Sequence, residues 1–289
     1  MAIYNKNGQV LSNVYNVNGQ EQPKAYDING AEIFSNEPSN IKVMTYNVGG
    51  WYIGSGTNVP ADKDEQYYNL QRGMIVNNDP DILILQEYWT TFSQAGRSAL
   101  TMLKDLFPYV KTVKGTDQWY GHAICSKYPL TGYTEHIYSN SAKRYYDSCT
   151  ITVGATSITV LNTHLDVQSQ SARTEQINQL IPFLEQKQRF IIGGDFNAMI
   201  TDSTANTSST PYIENVKPFV DAGFNTANFG SFGFLLTCVD RTNGTHYYLD
   251  NIYTSSNLTI TDAYVDDTKL NDLIDDPIDH MPLIATIEL

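Results

Sequence analysis

Six short polar clusters punctuate the 289 residues of this chain, five of them at the ends of apolar runs. Asn47 follows Val43-Met44-Thr45-Tyr46, and Glu87 follows Asp81-Ile82-Leu83-Ile84-Leu85-Gln86. His164 and Asp166 lie in Asn162-Thr163-His164-Leu165-Asp166, Asp195 and Asn197 in Gly193-Gly194-Asp195-Phe196-Asn197, and Asp250-Asn251 form the fifth cluster. The sixth, Asp279-His280, directly precedes the last apolar run. Carboxylates, amides and imidazoles suit a hard, oxygen-liganded divalent cation, since Mg²⁺ takes one or two carboxylates with waters and phosphate oxygens. Asn and His can hold a scissile phosphate, and Asp can take the proton of an attacking water. Zinc fits less well, because no two histidines stand at helical ligand spacing. Each cluster alone reads as a solvated turn or a cap; their recurrence is what that reading leaves unexplained. His122, His136 and His246 are read as structural or surface histidines.

These clusters need a frame. Residues 41–48 and 81–86 have the length and apolarity of buried strands, with 64–78 helical between them. Ala95, Ala99, Met102, Leu103 and Leu106 share one face of a second helix. Five strand-like runs follow in succession, at 109–113, 122–126, 131–138, 145–153 and 157–164, which argues against a simple parallel α/β sheet. Ile177, Leu180, Ile181 and Leu184 mark another helix. Residues 189–193 read as a strand, 201–210 as a loop, and 213–222 as a helix interrupted by Pro218. Residues 247–254 and 283–289 are late strands. The pattern implies a layered α/β sandwich.

The N-terminus repeats Tyr and Gly at an 11-residue period, and each unit ends in Asn-Gly, a dipeptide that closes tight hairpins. Residues 1–38 are therefore expected to be a short β-hairpin segment and linker, and 39–289 the main domain. The repeat is either an attachment module contacting another protein or a small appendage packed on the domain. The balance of 31 acidic against 18 basic residues gives −13, which argues against an extended basic face for nucleic acid. It leaves open an enzyme whose metal supplies the local positive charge. Cys125, Cys149 and Cys238 fall in no ligand spacing and are read as buried thiols. No signal peptide or membrane-length apolar run is expected, so a soluble protein is.

Thr45-Tyr46-Asn47-Val48, Leu85-Gln86-Glu87, Asn162-Thr163-His164-Leu165-Asp166, Gly194-Asp195-Phe196-Asn197-Ala198, Leu249-Asp250-Asn251-Ile252 and Asp279-His280-Met281-Pro282 together resemble the ordered motifs of the endonuclease/exonuclease/phosphatase (DNase I-like) superfamily. The resemblance covers about residues 41–289, and Ser171-Ala172-Arg173 with Gln176 adds a bacterial subgroup feature. It implies a four-layer α/β sandwich of two packed mixed β-sheets flanked by helices. It also implies a Mg²⁺-dependent (Mn²⁺ as a substitute) phosphoesterase. Glu87 would be the principal metal ligand, with Asn47 beside it and Asp279 near it. Asp195 would be the base, with Asn197 fixing the nucleophile, His164 and His280 flanking the phosphate, and Asp250 orienting His280. Asn251 stands where the family often has an aromatic residue. Arg144 and Tyr145 are candidates for a phosphate contact, and His122 lies where it could reach the site. The expected substrate is a phosphodiester such as nucleic acid. The alternatives are a lipid or inositol phosphate, for which residues 229–236 read either as an exposed apolar hairpin or as a loop tucked against the core, or a non-catalytic assembly scaffold.

Overall fold

The computed structural model describes residues 14–15, 21–22, 24–26, 32–35, 38–51, 61–89, 98–113, 121–139, 144–240, 242–271 and 278–289. Their side chains are described from residue 38 onward, except at 61–64, 270, 271, 278 and 279. In the repeat segment, β1 (Val14–Tyr15) pairs antiparallel with β2 (Glu21–Gln22), and β3 (Lys24–Tyr26) with β4 (Glu32–Ser35). These pairs flank Asn18-Gly19 and Asn29-Gly30, which themselves lie outside the described residues.

The first large sheet begins with β5 (Asn40–Asn47), β6 (Ile82–Gln86), β7 (Tyr109–Val113) and β8 (His122–Ser126). The second takes β9 (Leu130–Ile137), β10 (Tyr145–Val153), β11 (Thr156–His164), β12 (Phe190–Thr201), β13 (Asn225–Thr226), β14 (Cys238–Asp240) and β15 (Thr245–Thr254). The chain then alternates: β16 (Thr259–Val265) and β18 (Leu283–Glu288) return to the first sheet, and β17 (Ile278–His280) joins the second. The strand orders are β16-β18-β5-β6-β8-β7 and β17-β14-β15-β12-β11-β10-β9, with β13 also paired to β15. Both sheets are mixed, because β5–β6 and β11–β12 are parallel and the remaining pairs antiparallel.

Side-chain alternation along the strands builds the layers. Ile41 and Val43 of β5 join Ile82, Ile84, Val160, Ile191 and Ile252 in a core between the sheets. Met44 and Tyr46 face the other way, with Tyr67 and Ile75 of α1 (Ala61–Asn78) and Met102 and Leu103 of α2 (Ala99–Leu106). On the far side, Leu161, Ile192 and Tyr253 meet Ile177 and Leu180 of α3 (Gln170–Glu185). The order is helices, sheet, sheet, helices. Each fully buried aliphatic side chain contributes roughly 1.5–3 kcal/mol, so Ile84→Ala in the central core would cost about 2–5 kcal/mol.

Caps set the helix ends. Ser98 accepts from Thr101 N at 3.1 Å and Ser169 from Ala172 N at 3.2 Å, each satisfying a donor with no partner inside the helix. The expected helix over 213–222 is two, α4 (Thr210–Asn215) and α5 (Lys217–Asp221), because Pro218 is tolerated only in a first turn. Strands β14 and β17, three residues each, are too short to leave a periodic signal. Of the two readings of residues 229–236, the loop tucked against the core holds: Phe229 is buried beside Phe234, and Phe232 and Leu235 pack on the inter-sheet core. No helix among the described residues is long and apolar enough to cross a membrane.

Candidate active site at the strand ends

Strand register gathers the polar clusters. In the second sheet His164 pairs with Asp195 and Asp195 with Asp250, while Cys238 pairs with His280 across β14 and β17. In the first sheet Asn47 pairs with Gln86, leaving Glu87 one residue past the strand. Two buried amides tie the sheets beneath this point. Gln86 Nε2 donates to Asn162 Oδ1 at 2.9 Å, and Asn162 Nδ2 donates to Leu85 O at 2.7 Å. Gly193 permits the approach: a Cβ there would lie 2.9 Å from Ile84 Cδ1. At Gly194 a Cβ would lie 2.3 Å from the backbone oxygen of Thr163.

The backbone is strained where the site turns. Glu87, Asn197 and Met199 adopt φ of 53°, 46° and 53°, a left-handed conformation that costs a side-chain-bearing residue roughly 1–2 kcal/mol. Asn197 and Met199 lie in a bulge of β12, since the pairing with β15 shifts between Asp195 and Ile200. Such a bulge re-aims side chains at a sheet end.

Asp195 is the hub. Its Oδ2 accepts from Asn47 Nδ2 at 3.0 Å and lies 3.4 Å from His164 Nε2 and 3.7 Å from His280 Nε2. Its Oδ1 accepts from Asn197 N at 2.9 Å. Asn47 Nδ2 also donates to Glu87 Oε1 at 3.1 Å, so one amide bridges two carboxylates. Because Asn47 Oδ1 accepts from Gly49 N at 3.0 Å, Asn47 stands as a positioning donor in this arrangement. Asn197 Nδ2 donates to Leu165 O at 2.9 Å, fastening the bulge to the loop after His164. His280 Nδ1 meets Asp250 Oδ2 at 2.9 Å. Glu87, Arg144, His164, Asp195, Asn197 and His280 line a single cavity of about 270 Å³.

The two histidines are electrostatically unlike. Burial, reinforced by Arg144, His122 and His280, holds His164 well below the usual imidazole range, so it is neutral. Burial also opposes charge on His280, but Cys238 and Asp250 outweigh it and hold the ring well above that range. Burial pushes the Cys238 thiol up, so Asp250 is the partner that carries charge at neutral pH. Burial raises Asp250 itself to about 6.

The donor set suits a hard divalent cation. Burial, with a smaller push from Asp195, raises Glu87 to about 7 against the opposing pulls of His280, Asn47 and Arg144. An under-compensated carboxylate facing a cavity is what a divalent cation neutralises. Among the described residues, the acid and imidazole groups whose ligand atoms converge within 4.8 Å are Asp195, Asp250 and His280. With its ring protonated and Nδ1 on Asp250, His280 is a donor in this state, and the trio forms a relay. The side chain of Asp279 lies outside the described residues.

Other expectations sort cleanly. Asp166 Oδ1 accepts from the backbone of Gln168 and Ser169, making it a turn residue ahead of α3. Arg173 and Gln176 brace that same turn by bonding the backbone of Asp166. Asn251 bonds Thr226 and Asn228 and is structural. His122 is buried against Asp147 at 2.5 Å, while His246 is a surface partner of Asp202 at 3.1 Å. The three cysteines are buried and free, but Cys238 also lines the cavity. The sequence reading missed that, together with Met199, Tyr247 and Leu249 on the same wall.

The family model described as the Endonuclease/Exonuclease/phosphatase family matches residues 14–276. No curated protein matches the chain significantly. Among solved structures, humanized D. rerio TDP2 with 14 mutations is similar at TM-score 0.62 and 14% identity, over 87% of this chain and 100% of that one. D. rerio TDP2 complexed with single strand DNA product gives 0.60 and 13%, over 87% and 100%. The human Nocturnin catalytic domain with bound sulfate anion gives 0.61 and 17%, over 86% and 94%. At such identities the likeness speaks to the fold.

Proposed function

This chain belongs to the endonuclease/exonuclease/phosphatase family of metal-dependent phosphoesterases, and on that premise we propose that it hydrolyses a phosphodiester with Mg²⁺ held at Glu87. Residues 39–289 carry the catalysis, since every site residue lies between Asn47 and His280, and the repeat segment 1–38 stands outside it. The observation that carries the reading is the convergence on Asp195 Oδ2 of Asn47 at 3.0 Å, His164 at 3.4 Å and His280 at 3.7 Å.

The roles follow from the contacts. Asp195, its Oδ1 pinned by Asn197 N, takes the proton of a water whose oxygen attacks phosphorus. A P–O bond forms to that water oxygen as the P–O bond to the leaving alcohol breaks. His280, kept protonated by Asp250, donates from Nε2 to the departing oxygen or to a phosphoryl oxygen. His164 and Arg144 border the same space, one a neutral donor and the other a fixed positive charge. Glu87 would hold the divalent cation, which would supply positive charge to the phosphate. Asn47 keeps the two carboxylates in register by donating to both.

The test is a hydrolysis panel of plasmid DNA, RNA, abasic duplex, sphingomyelin and inositol phosphates, with Mg²⁺ and with EDTA. Glu87→Gln, Asp195→Asn and His280→Ala should each lower the Mg²⁺-dependent rate at least about a hundredfold with unchanged circular dichroism. Full activity in any one of them ends the role assigned to that residue.

A further inference from the structure

The cavity has two unlike walls. One carries the carboxylates and histidines described above. The other is apolar and is built by neighbouring strands: Cys238 of β14 is the cross-strand partner of Tyr247 of β15, and Leu249 lies two residues further along the same face. Met199 comes from the adjoining bulge of β12, and Val167 from the loop after His164. Leu249 and Cys238 are buried, whereas Val167 is 47% exposed at the mouth. Within this wall Cys238 also acts on His280, while Val167, Met199 and Leu249 carry no group that titrates.

Charge and size narrow what it can take. Arg144 is the only lysine or arginine among the described lining residues, and Asp240 sets a carboxylate on the rim beside the apolar wall. That carboxylate is held in place, accepting from Thr242 N at 2.9 Å and from Asn243 Nδ2 at 2.9 Å. Among the described residues, a second phosphate beside the apolar wall would meet the Asp240 carboxylate, in a protein of net charge −13. An apolar cavity of roughly 150 Å³ accepts a benzene ring, so about 270 Å³ accommodates a phosphoryl group and one ring. A long acyl chain would have to run out past Val167 at the mouth.

We propose that the wall formed by Val167, Met199, Tyr247 and Leu249 seats one uncharged, ring-sized arm of the substrate. The preferred substrates are then compact phosphodiesters with a single phosphate, in preference to polyphosphates, long polyanions or acyl lipids. This rests on the phosphodiesterase reading above and deepens it.

The experiment uses the full chain with Mg²⁺ or Mn²⁺ and four hexafluoroisopropyl phosphodiesters that share a leaving group without a ring, its release followed by ¹⁹F NMR. Their second arms are methyl, phenyl, 2-phosphoethyl and dodecyl. The expected kcat/KM for the phenyl diester exceeds that for the methyl diester about tenfold or more, from burial of one ring face. The phosphoethyl and dodecyl diesters gain nothing over methyl. Tyr247→Ala and Met199→Ala bring the phenyl-to-methyl ratio close to one, and Asp240→Lys raises the phosphoethyl-to-methyl ratio about tenfold. Ratios within one preparation cancel the fraction of protein that is folded. A wild-type ratio near one, a ratio unmoved in both alanine variants, or a preference for the phosphoethyl or dodecyl arm overturns the inference while phosphodiesterase activity stands. No turnover of any diester with either cation overturns the underlying reading as well.

Discussion

Replacing Asp250 with asparagine keeps the shape of a buried pair and removes half of its charge. Asp250 Oδ2 lies 2.9 Å from His280 Nδ1, and both side chains are buried. Opposite charges about 4 Å apart attract by about 4 kcal/mol at an effective dielectric constant of about 20. Burial alone would pull the imidazole down, so Asp250→Asn should lower the His280 pKa. The sign is definite. Wild-type activity that needs protonated His280 persists until pH rises through its raised pKa, and in the variant the same alkaline loss begins at lower pH. Near about pH 8 kcat/KM should fall roughly 10²–10³-fold, with the deficit shrinking towards about pH 6. The assay is a pH profile of kcat/KM at saturating Mg²⁺, so that protonation of Glu87, raised to about 7, does not limit metal occupancy. A loss equal at every pH, or an alkaline limb that does not move, would refute the pairing of Asp250 with a proton-donating His280.

Three further outcomes follow from the same geometry. Burial raises Glu87 from 4.5 to about 7, so between those values the folded metal-free protein binds more protons than the unfolded chain, and its stability declines as pH rises through that window. Glu87→Gln should therefore melt above wild type in EDTA near about pH 8 and together with it near about pH 4, as differential scanning fluorimetry would read. Mg²⁺ binding near about pH 7 should release roughly half a proton, and near about pH 9 almost none, seen by calorimetry in buffers of different ionisation enthalpy. Gly194→Ala places a Cβ 2.3 Å from Thr163 O and should cost about 2 kcal/mol or more, lowering Tm by roughly 4–8 °C in circular dichroism melts.

What the sequence made legible was whatever repeats or sits at a strand end. The apolar runs before Asn47 and Glu87 and the heptad-like spacing of Ile177, Leu180, Ile181 and Leu184 foretold β5, β6 and α3, because burial imposes its period on sequence. His164, Asp195 and Asp250 could be nominated since each ends or interrupts an apolar run, and cross-strand register then makes them neighbours. Asp166 carries the same signal yet is a turn residue, because a carboxylate after a strand looks the same whether it caps backbone donors or faces a cavity. Asn47 was read as a metal neighbour; only the hydrogen-bond partners of its amide reveal a bridge between two carboxylates. Cys238, Met199 and Tyr247 were invisible as lining residues. One lies in a three-residue strand, one in a bulge that breaks the period, and one in a run that reads as ordinary strand. The opposite protonation of His164 and His280 was equally out of reach, because it depends on which ring has a buried carboxylate at Nδ1.

The site draws Asn47 and Glu87 from one sheet and His164, Asp195, Asn197, Asp250 and His280 from the other, so its geometry is only as fixed as the relation between the sheets. Aliphatic packing sets the separation of two sheets well, but it resists sliding weakly, since one Val or Ile row fits another at several offsets. Directional bonds resist it. Gln86 Nε2 reaches both Thr45 Oγ1 at 3.1 Å and Asn162 Oδ1 at 2.9 Å, and Asn162 Nδ2 returns to Leu85 O at 2.7 Å. All three side chains are fully buried; Gln86 stands one residue from Glu87, Asn162 two from His164 and Thr45 two from Asn47. Burying amides in an otherwise apolar layer gains little net stability, since each bond only replaces one made to water. It does gain register: slide one sheet by a single residue and several buried donors and acceptors lose their partners, at about 1–3 kcal/mol each. The strained φ at Glu87 and Asn197 belongs to the same economy of position, because a left-handed turn is retained only where the surrounding structure forbids relaxation. Stability is spread through the apolar cores, and the polar seam between the sheets converts that stability into the fixed placement of the two carboxylates that Asn47 joins.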